Sequence, residues 1–305
     1  MKIVLINSAK GEDYLADLFI SSILCLSKLQ IYTDYIPPYI FEDYPRRHAL
    51  YGKGFTAFCS VPSRMRNSSN LVTLSKSQLL SFLQSEKNND LVIVFTSIWR
   101  RSEELYKLLP YSEQLENVKI IVLDGEDHQR LHKCSAERVL YYKRELTDLS
   151  TGILPISFCF PPTSLPFLTK GRDYIPDKTA ILASCDPRFR ASYTFQSESQ
   201  YYRQYASSLF AVTTKKGGWD CMRHYEILAN HCVPYFPNII SKPRSTMHSY
   251  PVDLQIEANS LYEAVAVGEE ALGEYFWLKY TKVLRKFMDY FYSRCISTEY
   301  INILL

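Results

Sequence analysis

Glycine is scarce in this chain: ten residues in 305, with two of them adjacent at Gly217-Gly218. A residue that permits tight turns and close backbone approach is thus used twice in one place, directly after Lys215 and Lys216. Other absences narrow the function classes. No G-x-S-x-G and no Walker loop occurs, which argues against a serine hydrolase and a P-loop NTPase. The eight cysteines form no C-x-x-C pair and the histidines fall at no metal-ligand spacing, so free thiols are expected in place of disulfides or zinc. The formal net charge is only +3, too small for a general nucleic-acid binder, so any basic function must come from local clustering. No apolar run approaches the roughly 18 residues of a membrane span, and the apolar start of MKIVLINSAK is too short for a signal-peptide core. A cytoplasmic chain without a transmembrane segment is expected, peripheral at a membrane at most.

What is present points to an α/β class. Hydrophobic residues make up 47% of the chain, enough for a substantial core, and 24 Tyr, 16 Phe and 3 Trp serve packing or sugar stacking. Residues 2–7, 90–97 and 118–127 are continuous apolar runs of the kind that form buried parallel strands. Helical spacing of Leu15, Leu18, Phe19, Ile23 and Leu26 follows the first run, and residues 75–88 and 100–109 have a helical texture. Strand alternating with helix implies a parallel sheet covered on both faces. Four prolines between Pro155 and Pro166 mark a linker, after which 179–185, 208–214 and 233–236 resume the strand pattern. A mostly helical tail, 261–295, carries Phe276, Tyr280, Leu284, Phe287 and Phe291 on one stripe. In open α/β sheets ligands bind beyond the carboxyl ends of strands, which selects residues 96–97, 124–128 and 213–220.

The last of these combines several anion-binding features. Gly217 and Gly218 allow close approach, Asp220 is placed to cap a helix, and a helix N-terminus offers unpaired N–H groups and partial positive charge. Lys215 and Lys216 add two full charges, so phosphate fits. Along the helix, Trp219, Arg223, Glu226 and Asn230 share one face. Arg223 is able to reach a phosphate and Glu226 to accept from two ribose hydroxyls; a solvated i,i+3 ion pair is the other reading.

The segment GGWDCMRHYEILANHCVPYFPNI resembles the C-terminal signature of exostosin-like glycosyltransferases of the GT-B type. That resemblance implies two Rossmann-like domains facing each other across a cleft: 1–155 on the acceptor side, 156–275 binding a nucleotide-sugar, and 276–305 a helical tail crossing back to the first domain. It implies Glu226 on the ribose of a nucleotide-sugar, UDP-linked by family preference, with Arg223 and Gly218 facing the diphosphate. The acceptor would be a hydroxyl of a glycan or another molecule. The glycine of the usual A-A-G-C-V/I-P is His231 here, a departure that concerns packing at the helix end.

At the acidic strand end, Asp124, Glu126, Asp127 and His128 offer a general base, a hard-cation site, or a turn stabilised by local hydrogen bonds. Asp127 or Glu126 would be the base. Lys143 and Arg144, in a segment similar to one following the acidic turn in such enzymes, either point into the cleft or form a solvated patch. Arg188 and Arg190, at another strand end, suit a diphosphate, the resemblance favouring Arg190. YGKGF (51–55) is an acceptor-side loop or an ordinary turn. With cations in place for the leaving diphosphate, direct displacement with inversion and no essential metal is expected. A GT-A-type transferase with a metal at DGED, a GT-B-shaped enzyme of different chemistry such as a sugar-nucleotide epimerase or a polyol-phosphate transferase, and a non-catalytic nucleotide- or carbohydrate-binding protein are the alternatives.

Overall fold

The computed structural model describes residues 1–7, 11–26, 29–85, 91–100, 102–113, 118–133, 139–149, 152–161, 171–296, 300 and 302–303. Seven parallel strands form the first sheet: β1 (Lys2–Asn7), β2 (Gln30–Thr33), β3 (Leu71–Thr73), β4 (Leu91–Thr96), β5 (Lys119–Asp124), β6 (Val139–Lys143) and β7 (Leu154–Pro155), in spatial order β3-β2-β1-β4-β5-β6-β7. The central strands are the continuous apolar runs because both faces are covered. Ile3 and Leu5 pack toward helix α1 (Tyr14–Leu24), whereas Val4 and Ile6 pack toward α2 (Lys76–Ser85) and α3 (Ser102–Glu113). The α/β class read from the sequence is the observed one. The outer strands β2, β3, β6 and β7 were not legible as strands; they are short, and their burial alternates or is partial.

A second parallel sheet, in order β10-β9-β8, joins β8 (Ala180–Leu182), β9 (Ser208–Val212) and β10 (Val233–Tyr235). Helix α4 (Glu198–Ala206) precedes β9, and its N-cap Ser197 accepts from Gln200 N. Helix α5 (Met222–Ala229) links β9 to β10, and α6 (Val252–Ala266) and α7 (Glu274–Tyr290) follow. The expected helical tail is interrupted after α6, where Gly268 adopts φ +79°. The aromatic stripe is buried as read, and Tyr280 donates to Leu209 O of β9 at 3.1 Å. Further on, Tyr300 sets its ring against Phe19 of α1 at 5.5 Å and accepts from Cys159 N. One hydrophobic cluster runs from α1 through α4, α5 and α7. The proline-rich stretch begins in β7; its residues 162–170 lie outside the described residues. Among the described residues no helix is long and apolar enough to cross a membrane.

Gly125, just after β5, shows how closely α1 approaches the site: a Cβ there would stand 2.8 Å from Leu15 Cβ and 2.9 Å from Asp13 Oδ1. Gly125→Ala is therefore expected to lower the free energy of unfolding in urea by about 1–3 kcal/mol through overpacking, with an unchanged m-value.

Candidate functional site

The loop from β9 to α5 is fixed from both sides. His224 of α5 bridges Thr213 Oγ1 (2.8 Å) and the Trp219 carbonyl (2.7 Å), and burial lowers its imidazole to about 3, so the ring is neutral. Asp220 does not cap the helix as expected. α5 starts at Met222 behind Cys221, and the Asp220 carboxylate turns inward to accept from Tyr225 OH (2.5 Å) and Phe158 N (3.0 Å). Two interior donors outcompete the capping position. Burial outweighs the attraction of Arg144 and raises the Asp220 carboxyl to about 6.

The two glycines meet the acidic end of the first sheet. Gly217 lies against the Asp127 carboxylate; a Cβ on Gly218 would stand 2.6 Å from Glu145 Cδ and 3.0 Å from Arg144 Nη1. The adjacent N–H groups of Trp219 and Asp220 donate to Glu145 Oε2 and Oε1, each at 2.9 Å. Two amides expected to face a diphosphate are thus bound by a protein carboxylate. Arg144, 2% exposed, joins this contact by donating to Glu145 Oε1 (3.0 Å), Gly125 O (2.9 Å), the Asp220 carbonyl and Asp127.

The acidic cluster separates into different roles. Asp124 is 1% exposed and takes four donors among the described residues: Trp99 Nε1 (2.8 Å), Tyr141 OH (2.5 Å), Lys143 Nζ (2.8 Å) and Glu126 N (3.1 Å). Lys143 is fully buried on Asp124 and Glu126 O and does not point into a cleft, because Asp124 compensates its charge there. His128 sets its ring edge-to-face on Trp99 at 4.4 Å. Glu126 lies 3.7 Å from Arg100. Asp127, with its side chain 61% exposed, is the carboxylate of the group that meets the lysine-glycine loop. Among the described residues no group of three or more His, Cys, Asp and Glu is arranged to hold a metal ion.

The basic side is different. Arg223 is 8% exposed; its Nε donates to Tyr193 OH at 3.0 Å, its Nη1 has no hydrogen-bond partner, and among the described residues no carboxylate pairs with it. Lys216, exposed like Lys215, lies over the same Tyr193 ring at 5.4 Å, and its ammonium is lowered by partial desolvation and then by the nearby Arg223 and Arg190. Exposed Lys215 lies over Trp219 at 5.4 Å, and Arg188 pairs with Asp186. Arg223, Lys216 and Arg190 therefore gather positive charge around Tyr193.

Glu226 is also buried, and it makes no pair with Arg223, so the solvated-pair reading is excluded. Its Oε1 accepts from Thr56 OH (2.5 Å) and its Oε2 from Tyr201 OH (2.6 Å); burial raises its carboxyl. Thr56, Tyr193, Tyr201 and Glu145 were missed in the sequence. Glu145 had one signal, an acid directly after two cations at a strand end; the tyrosines had none beyond their abundance.

The Asp220 shift sets a pH dependence. The folded chain binds this proton more tightly than the unfolded chain, whose value is near 3.8. Its contribution is complete below about pH 4 and is lost as pH rises through about 6. The unfolding free energy of the wild type relative to Asp220→Asn is expected to fall by about 2–3 kcal/mol across that interval, measured by urea titration at each pH. Comparison with known proteins finds no matching family model, no matching curated protein and no matching solved structure.

Proposed function

We propose that the chain is a GT-B-type glycosyltransferase that moves a sugar from a nucleotide-sugar, UDP-linked in the first instance, to a hydroxyl of a glycan or another acceptor. The observation that carries this reading is the buried Arg223 guanidinium with an unpartnered nitrogen. A buried cation without a counter-ion is costly, and the guanidinium fork matches the oxygens of a diphosphate. Lys216 and Arg190 supply the remaining charge, and Lys215 stands at the rim. Glu226 lies three residues along α5 from Arg223, about 4.5 Å of axial rise, a spacing that suits a ribose next to a diphosphate.

In this reading 156–275 holds the donor and 1–155 the acceptor. The acceptor oxygen forms its bond to the anomeric carbon as the bond from that carbon to the diphosphate oxygen breaks, with inversion. The acceptor proton passes to Asp127, with Glu126 beside it. The departing diphosphate keeps the electron pair, and Arg223, Lys216 and Arg190 stabilise its charge without requiring a metal.

Calorimetry with UDP, GDP and CDP in EDTA tests the donor site. One of them is expected to bind, and Arg223→Gln to weaken it by about 30-fold or more, the loss of a charge-assisted bond. Equal affinity for wild type and variant, or no binding at all, overturns the assignment. Asp127→Asn is expected to retain nucleotide binding and to lower the transfer rate by about 100-fold or more.

A further inference from the structure

Glu226 and Tyr201, 7% and 6% exposed, are covered by a segment of the first half. That segment, residues 51–59, holds five residues in the left-handed region: Gly52 (φ 59°), Lys53 (59°), Gly54 (72°), Thr56 (66°) and Cys59 (53°). Two of these are glycines, for which the conformation costs little. Thr56 is β-branched, and for such a residue a positive φ is a strained state that persists only where surrounding contacts impose it.

The side chains that hold Thr56 come from the second half, while Glu12 and Arg47 of the first half hold Tyr51 N and Gly54 O. Thr56 N donates to Glu198 Oε1 (2.7 Å), Thr56 OH donates to Glu226, and Lys53 Nζ donates to Phe195 O (2.5 Å). Arg47, which also holds Gly54 O at 3.0 Å, pairs with Glu198. Phe55 places its ring on Tyr201, centroids 5.7 Å apart and planes inclined by 29°. The root of the segment is held separately: Ala57 and Phe58 are buried in the first half, Phe58 between Tyr14 and Tyr39 at 5.5 Å from each. The tip is thus strained and held across the junction by side chains, while its root has its own core.

The groups at this tip are an aromatic plane on Tyr201 and, one residue on, a hydroxyl on the Glu226 carboxylate. A nucleoside presents the same two groups, a planar base and a ribose hydroxyl. We propose that segment 51–56 is a displaceable plug that fills a nucleoside subsite, Phe55 standing where a base stacks on Tyr201 and Thr56 where a ribose hydroxyl meets Glu226. The inference rests on the nucleotide-sugar reading and adds a gate to it: the donor binds by exchanging its base and hydroxyl for Phe55 and Thr56, and relief of the Thr56 backbone favours the exchange. Arg223, beside the subsite, stays available to the diphosphate in both states.

The test is calorimetry of UDP, GDP and CDP with wild type, Phe55→Ala and Thr56→Ala, joined to hydrogen exchange of the wild type with and without the nucleotide that binds. Removing either stand-in is expected to tighten that nucleotide by about tenfold, because the binding-competent state gains population. In the wild type, nucleotide is expected to remove the protection of the Thr56 amide while leaving that of the Cys59 amide, which donates to Tyr39 O at 3.0 Å, in place. Arg223-dependent binding with unchanged affinity in both variants and an unchanged Thr56 amide overturns the plug and leaves the donor site standing. Absence of binding in wild type and variants alike overturns both.

Discussion

The arrangement of this molecule depends on one buried carboxylate. Glu145, just past the carboxyl end of β6, accepts the Trp219 and Asp220 N–H groups of the opposite loop while pairing with Arg144. This contact explains the paired glycines: at Gly218 a side chain would overlap the carboxylate that holds the loop. It also sets where α5 starts, and hence where Arg223 and Glu226 project. Buried charges are tolerated when each is paired and hydrogen-bonded, and the Glu145–Arg144–Asp127 group meets that condition with backbone carbonyls filling the remaining guanidinium positions.

Seen through charge, the two sides of the junction are unequal. On the sheet side Lys143 is matched by Asp124 and Arg144 by Glu145 and Asp127, so the cations there are compensated within the protein. On the other side Arg223 has a tyrosine hydroxyl and an unpartnered nitrogen, with Lys216 and Arg190 adding to the same field. Glu226 contributes little balance because burial favours its protonated form and both its oxygens are engaged by hydroxyls. The imbalance is local, in a chain whose overall net charge is +3, and it is what an anionic ligand would correct.

Much of the central fold was legible in the sequence. The runs that became β1, β4, β5 and β9 are continuously apolar between their terminal residues because both faces are covered, and the α1 and α7 stripes follow helical spacing. The outer strands β2, β3, β6 and β7 escaped notice because two to five partly buried residues carry no distinctive period. The helix of Arg223 and Glu226 was readable from its spacing, and so was the glycine pair as a place of close approach. What approaches was not: a protein carboxylate occupies two of the amides that looked suited to phosphate. Asp220 looked like a cap and is an interior acceptor, since capping preference is a local tendency that Tyr225 and Phe158 override. Thr56 and Tyr201 lie 170 and 25 residues from Glu226 in sequence, and no local pattern joins them to it.

The central claim is that the uncompensated charge around Arg223 is a binding site for the phosphates of a nucleotide. A crystal structure of the chain grown with the nucleotide that binds in solution addresses it most directly. The account requires a phosphate oxygen within hydrogen-bond distance of Arg223 Nη1, with Lys216 nearby. A nucleotide bound elsewhere, with Arg223 Nη1 still unpartnered among the described residues, would contradict it.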